Sequence, residues 1–257
     1  MRRALMGRWL CLVFAGLTLL TAGCSSSGVA SANEKNVVLV AGATGGTGRA
    51  LVRDLVAQGY AVRALVRNED KARVVLGDDI AYALGDVREI DTLLAAMDGA
   101  TFVISAIGST RADPDNNPEA VDYGGVKNLA DAAAAKGIRQ LVLVSSSGVT
   151  HEDHFLNKAF DNILNWKFKG EEAVRMSGVP YTIIRPGGLV NTPGGEFAVV
   201  FAQGDTTGGR ISRQDLALVC VAALQEKSAI NKTFEIYSSE QPGQNDWPGL
   251  FGALSAD

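Results

Sequence analysis

The chain has 257 residues, 47% of them hydrophobic and 20% charged, enough apolar material for a sizeable core. Its net charge is −4, with no basic block beyond the first few residues, which excludes the electrostatic footprint of a nucleic-acid binder. Repeat arrays and long low-complexity tracts are absent from the sequence as well.

Residues 1–24 read as a targeting segment rather than part of the fold. Arg2, Arg3 and Arg8 form a positive start, and Trp9 to Leu20 is an uncharged apolar run. That run is shorter than the about 20 residues a spanning helix needs. Thr21-Ala22-Gly23-Cys24 resembles the bacterial lipobox, with Thr21 where Leu is commoner. Cys24 is therefore expected to carry lipid and to hold the protein on a membrane of the bacterial cell envelope, outside the cytoplasm. An uncleaved membrane anchor is the alternative. Arg2-Arg3 also bears a weak similarity to a twin-arginine export signal. Cys11 would leave with the signal and Cys220 lies in an apolar run, so no disulfide is expected in the mature domain. Ser25 to Lys35 reads as a flexible tether.

Alternating strands and helices then begin. Asn36 to Ala41 is a continuous apolar strand, followed by a glycine turn and a helix over Arg49 to Gln58. Strands are expected at 61–66, 80–84, 101–105, 140–145 and 181–185. Helices are expected at 68–75, from an Asp86 cap to about Met97, at 118–136 and at 157–176. Beyond Pro186 the pattern loosens, with a strand near 197–201, a helix from Ser212 to about Gln225 and a last strand at 233–237. Trp247, Leu250, Phe251 and Leu254 stand at helical spacing and suggest a docking turn. The pattern implies one α/β domain with a doubly wound parallel sheet, a Rossmann fold, over residues 36–240, with a tail at 241–257.

Gly42-Ala43-Thr44-Gly45-Gly46-Thr47-Gly48 carries the chemistry. In a chain with 29 Gly the spacing alone is weak, but it directly follows the first strand and opens the first helix. Glycines there let the backbone approach a pyrophosphate, and the helix N-terminus faces it. An acidic residue ending the second strand would bind the ribose hydroxyls of NAD. Arg67 stands there instead, and Arg49 follows Gly48, so two guanidinium groups are expected to clamp a 2′-phosphate. NADP(H) is expected ahead of NAD(H). Asp86 and Val87 are placed near the adenine, and Ala106 and Ile107 beside the nicotinamide ribose.

These residues, with Leu65-Val66-Arg67, Gly85-Asp86-Val87, Val121-Asp122-Tyr123, Lys127-Asn128, Tyr181 to Gly187 and Ile211 to Asp215, resemble the atypical short-chain dehydrogenase/reductases. That group includes flavin- and biliverdin-reductase-like proteins. The resemblance implies a nicotinamide cofactor, with Pro186 among its contacts and Lys167 at the position of the family's lysine. Ser146, within Ser145-Ser146-Ser147, is the candidate serine beside it. The residue four before Lys167 is Ile163, where the enzymes carry the Tyr that donates a proton. Hydride transfer to a flavin, quinone or similar small acceptor therefore remains, because the cofactor carries that chemistry. The alternative is a membrane-anchored NADP-binding scaffold, assembly protein or sensor without turnover. His151 and His154 stand in the loop after the fifth strand as a candidate proton donor, and no metal is expected. An NADP(H) site on an extracytoplasmic protein is a conflict that the sequence leaves open, as it does the oligomeric state.

Overall fold

The computed structural model describes residues 36–110, 114–206, 208–243 and 245–257. The signal segment, Cys11, Cys24 and the tether all lie outside the described residues. Strand β1 (Val37–Ala41) leads through the glycine turn into helix α1 (Gly46–Ala57), three residues earlier than the sequence pattern suggested. Then follow β2 (Ala61–Val66), α2 (Glu69–Leu76), β3 (Ala81–Leu84), α3 (Ile90–Ala96) and β4 (Phe102–Ser105). A π-helix (Glu119–Gly125) runs into α4 (Val126–Ala135), and β5 (Gln140–Val144), α5 (Phe155–Ala159), α6 (Ile163–Met176) and β6 (Tyr181–Pro186) come next. The remainder is β7 (Gly188–Val190), β8 (Phe197–Ala202), β9 (Arg210–Ser212), α7 (Arg213–Gln225), β10 (Lys232–Pro242) and α8 (Trp247–Gly252).

The main sheet has eight strands in the order β3-β2-β1-β4-β5-β6-β10-β8. Every pairing is parallel except that of β8 with β10. Strand order reverses between β1 and β4, and a crevice opens there at the carboxyl ends of the strands, where such sheets bind ligands. Alternation along β1 shows how the two faces fill. Val38 and Val40 pack with α1 and α7, while Leu39 and Ala41 pack with α3, α4 and α6. Both sets are fully buried, as parallel strands covered on both faces must be. The tail helix α8 inserts Phe251 against Phe201 and Phe234, with ring centroids 5.1 and 5.8 Å apart. Lys232 Nζ donates to the carbonyls of Phe251 and Leu254 at 2.8 and 2.6 Å, which satisfies the end of that helix.

Three local expectations are corrected. Asp86 does not cap α3, which starts at Ile90 after Glu89. Its carboxylate instead accepts from Arg88 N at 2.9 Å and pairs with the Arg88 guanidinium at 2.7 Å. The helix expected over 118–136 opens as a π-helix because close packing holds its backbone off the α-helical path. A Cβ on Gly170 of α6 would lie 2.4 Å from Asp122 O, and one on Gly125 would lie 2.6 Å from Val87 Cγ2. The helix expected over 157–176 is broken at Asp161 (φ 48°) and Asn162 (φ 57°). Asn157 fastens the break, its Oδ1 accepting from Leu164 N at 2.9 Å and its Nδ2 donating to Glu152 O at 3.0 Å.

Candidate functional site

The crevice between β1 and β4 is a cleft of about 620 Å³. Its floor is the glycine turn. Gly42 has a φ of +80°, and Gly45 N donates to Gly42 O at 3.1 Å. A Cβ on Gly42 would lie 2.5 Å from Ala106 O, and one on Gly48 would lie 2.1 Å from Gly42 O. The tips of β1 and β4 therefore meet backbone to backbone, which only glycine permits. Helix α1 begins at Gly46 after the bare cap Gly45, with no acidic residue in its first turn. Its N-terminal amides and positive dipole end face the turn without a carboxylate to compete for them.

One wall comes from the end of β2 and the start of α2. Arg67, Asn68 and Lys71 line the cleft there. Asn68 caps α2 by accepting from Lys71 N at 2.8 Å. Asp86 and Val87 line the cleft above β3, and Ala106 and Ile107 line it above β4. The Arg88 guanidinium holds the Asp86 carboxyl below its usual range, with Arg67 contributing at longer reach. Of the expected cofactor residues, the structure thus brings Gly42, Thr44, Gly45, Arg67, Asp86, Val87, Ala106 and Ile107 to one cleft. Gly46, Thr47 and Gly48 form the start of α1, next to the cleft's glycine turn. Arg49 is exposed on α1 and is not among the lining residues, whereas Lys71, which the sequence reading passed over, is. Its signal was available as the residue three after a helix-capping Asn.

Lys167 and Ser146 stand apart from this cleft. Lys167 Nζ lies 2.7 Å from Asp122 Oδ1, a carboxylate with no solvent exposure, whose Oδ2 accepts from Ser109 N at 3.1 Å. The pair ties α6 to the loop after β4. Ser146 Oγ donates to the neighbouring Ser147 O at 3.0 Å. Ser145 instead points inward and donates to Glu171 Oε1 at 2.6 Å. Pro186 is buried at the end of β6, where its carbonyl accepts from Ser147 N at 3.0 Å.

A second cavity of about 410 Å³ lies where the loops after β5 and β8 meet, lined by Ser147, His151, His154 and Asp205 among others. His151 Nε2 sits 2.8 Å from Asp205 O, so that nitrogen carries the proton. His154 Nδ1 accepts from Leu156 N at 3.2 Å. Among the described residues no group of three His, Cys, Asp or Glu side chains is placed to hold a metal. Burial alone would raise the Asp205 carboxyl. Bonds from Gly148 N (2.6 Å), Thr150 N (3.0 Å) and Thr150 Oγ1 (2.8 Å) outweigh it and leave the pKa below its ordinary value. A carboxylate depressed in this way stabilises the fold above its unfolded pKa, and that contribution is lost as pH falls below about 4. Asp205→Asn is expected to flatten the acid side of the stability profile, read as urea midpoints from neutral pH downward. A variant profile as steep as the parent's would contradict this.

A family model described as NAD(P)H-binding matches residues 42–227, a span that includes the turn, the cleft and α7. The chain belongs to the NAD(P)H-binding family. This NAD(P)H-binding protein is 33% identical to sanguinarine reductase of Eschscholzia californica, over 88% of this chain and 99% of the reductase. It is 35% identical to an uncharacterized chloroplastic protein of Arabidopsis thaliana, over 82% of this chain and 72% of that one. Among solved structures it resembles a Bacillus halodurans protein provisionally assigned as an NAD-dependent epimerase/dehydratase. That similarity has a TM-score of 0.73 and 26% identity, over 85% of this chain and 100% of the other. The relatives correct one expectation. Those matched over most of the chain include chloroplastic proteins, and among the described residues no helix is long and apolar enough to cross a membrane. The placement as a bacterial extracytoplasmic lipoprotein is withdrawn, and with it the conflict with a nicotinamide site.

Proposed function

We propose that this NAD(P)H-binding, reductase-like protein uses NADPH in preference to NADH and reduces a small acceptor of the flavin or quinone kind. The observation that carries the reading is the cationic wall of the cleft. Arg67 and Lys71 line it where a dehydrogenase selective for NAD would place a carboxylate. Together with the N-terminus of α2 they suit the 2′-phosphate, and Lys71 takes the part first given to Arg49. The amides of the glycine turn suit the pyrophosphate, and Ala106 and Ile107 border the nicotinamide end. Bound there, the cofactor supplies the hydride. The chain's own residues orient it and exclude water. Lys167, held by Asp122, fixes the loop after β4 that borders the cleft.

The acceptor class follows from what stands at position 163. Ile163 offers no phenol to donate a proton. The acceptor is then one whose reduced anion takes its proton from water, which describes a flavin or quinone better than an aliphatic ketone. The reductase name of the Eschscholzia relative fits this reading. The missing phenol at position 163 also favours a second reading, a nucleotide-binding assembly or sensor protein without turnover. Oxidation of NADPH in the presence of flavins and naphthoquinones separates the two.

Arg67→Ala is expected to weaken NADPH binding about 10- to 100-fold and to leave NADH binding unchanged, the difference expected of a charge-assisted contact to phosphate. Fluorescence titration of both nucleotides reads it. Equal losses for the two would remove the 2′-phosphate from the argument.

A further inference from the structure

Arg213 opens α7 directly after its capping residue, Ser212. Its side chain lies on the glycine turn of the cofactor cleft, far from it in sequence. Arg213 Cδ and Nε sit 2.9 Å from the point that a Cβ on Gly46 would occupy. The missing side chain at Gly46 is what admits the guanidinium stem to the turn. Among the described residues Arg213 takes one hydrogen-bond partner, Asn191, whose Oδ1 accepts from Nη1 at 2.7 Å. The acidic residue nearest in sequence, Asp215, is committed elsewhere, to Ser212 Oγ at 2.8 Å and Gly195 N at 2.7 Å. Among the described residues, a guanidinium with no carboxylate partner and a helix N-terminus with no acidic residue in its first turn thus converge on one glycine. Two positive groups brought together without a counter-charge make a site for an anion.

We infer that Arg213 is a further cofactor-binding residue, supplied by the C-terminal third of the chain, and that it grips the pyrophosphate of the dinucleotide at the glycine turn. The inference rests on the NAD(P)H reading above. It assigns a role to the segment from β7 to α7, since Asn191 follows β7 and Arg213 follows β9. Cofactor binding then fastens this segment to the N-terminus of α1. The guanidinium is suited to the task because its planar fork holds two phosphate oxygens at once.

The test titrates the full chain and its variants with NADPH, ADP-ribose and 2′-AMP. ADP-ribose carries the pyrophosphate without the 2′-phosphate, and 2′-AMP carries the reverse. Arg213→Met is expected to weaken NADPH and ADP-ribose about 10- to 100-fold and to leave 2′-AMP unchanged. Arg213→Lys, which keeps the charge and the fold, loses less than Arg213→Met on the same two ligands. Gly46→Ala, which drives the side chain off the turn, reproduces the Arg213→Met pattern. Unchanged affinity for ADP-ribose in Arg213→Met overturns the inference and leaves the NAD(P)H reading standing. Equal losses on all three ligands also overturn it, because a merely structural residue would behave so. If the unaltered chain binds none of the three, the NAD(P)H reading fails first and the inference falls with it.

Discussion

Replacing Gly48 by alanine is expected to abolish measurable dinucleotide binding and to lower the thermal midpoint by several degrees. The new Cβ would lie 2.1 Å from Gly42 O and 2.7 Å from Ala43 C, and both neighbours are backbone. Neither can rotate aside as a side chain would, so the turn itself must move. Overpacking of this kind costs about 1–3 kcal/mol. In a domain of this size that is a fall of about 2–12 °C. Gly45→Ala is the internal control. Gly45 has a φ of −71°, and a Cβ there would meet only Gly42 O, at 3.3 Å. A few tenths of an ångström relieve it, and the expected stability loss is about 0.5 kcal/mol or less, the usual range for a tolerated surface change. Equal stability losses for the two substitutions, by calorimetry, would show that the turn is not held as tightly as the geometry states.

The second large effect lies beneath the site. Glu171 is fully buried on α6, and four donors converge on its carboxylate. They are Ser145 Oγ at 2.6 Å, Arg185 Nε at 3.0 Å, Arg185 Nη2 at 2.7 Å and Arg175 Nη2 at 3.1 Å. Arg185 also reaches Glu235 Oε1 at 3.1 Å, and Glu235 Oε2 accepts from Asp205 N at 3.0 Å. The network therefore ties α6, the ends of β5 and β6, β10 and the second cavity together. Burial alone would weaken the Arg185 charge, but Glu171 and Glu235 more than compensate and raise its pKa above the ordinary value. Glu171→Ala leaves two guanidinium groups short of a partner in the interior. Breaking a buried pair from one side costs about 3–5 kcal/mol, which in this domain lowers the midpoint by about 6–20 °C. Glu171→Gln keeps the volume and some of the hydrogen bonds and should fall between. A loss below about 1 kcal/mol for Glu171→Ala would mean that water or rearrangement satisfies the arginines, contrary to the packing.

Most of the frame was legible in the sequence, for a reason that particular strands make plain. β1 and β5 are buried on both faces, so they read as apolar runs bounded by polar or glycine residues, a signal that depends on nothing distant. The glycine turn was equally local. What the sequence reading missed depends on contacts between remote segments. The π-helix over Glu119–Gly125 exists because Gly170 lets α6 press on Asp122 O and because Val87 presses on Gly125. The break at Asp161 and Asn162 depends on Asn157 reaching forward to Leu164 N. Asp86 looked like a cap because an acid stood three residues on at Glu89, yet the neighbouring Arg88 drew its carboxylate away. Arg213 entered the site by folding alone, from the far end of the chain. No spacing rule would have joined Arg213 to Gly46. The expectation of a bacterial envelope address failed differently, since it rested on a short segment outside the described residues and the chain's relatives pointed elsewhere.

The most direct test of the account is a fluorescence titration of the full chain, purified under native conditions, with NADPH and NADH in parallel. NADPH is expected to bind saturably and NADH at least about tenfold more weakly, the margin expected when Arg67 and Lys71 meet a 2′-phosphate. Failure to bind either nucleotide, with none carried through purification, would contradict the account at its centre.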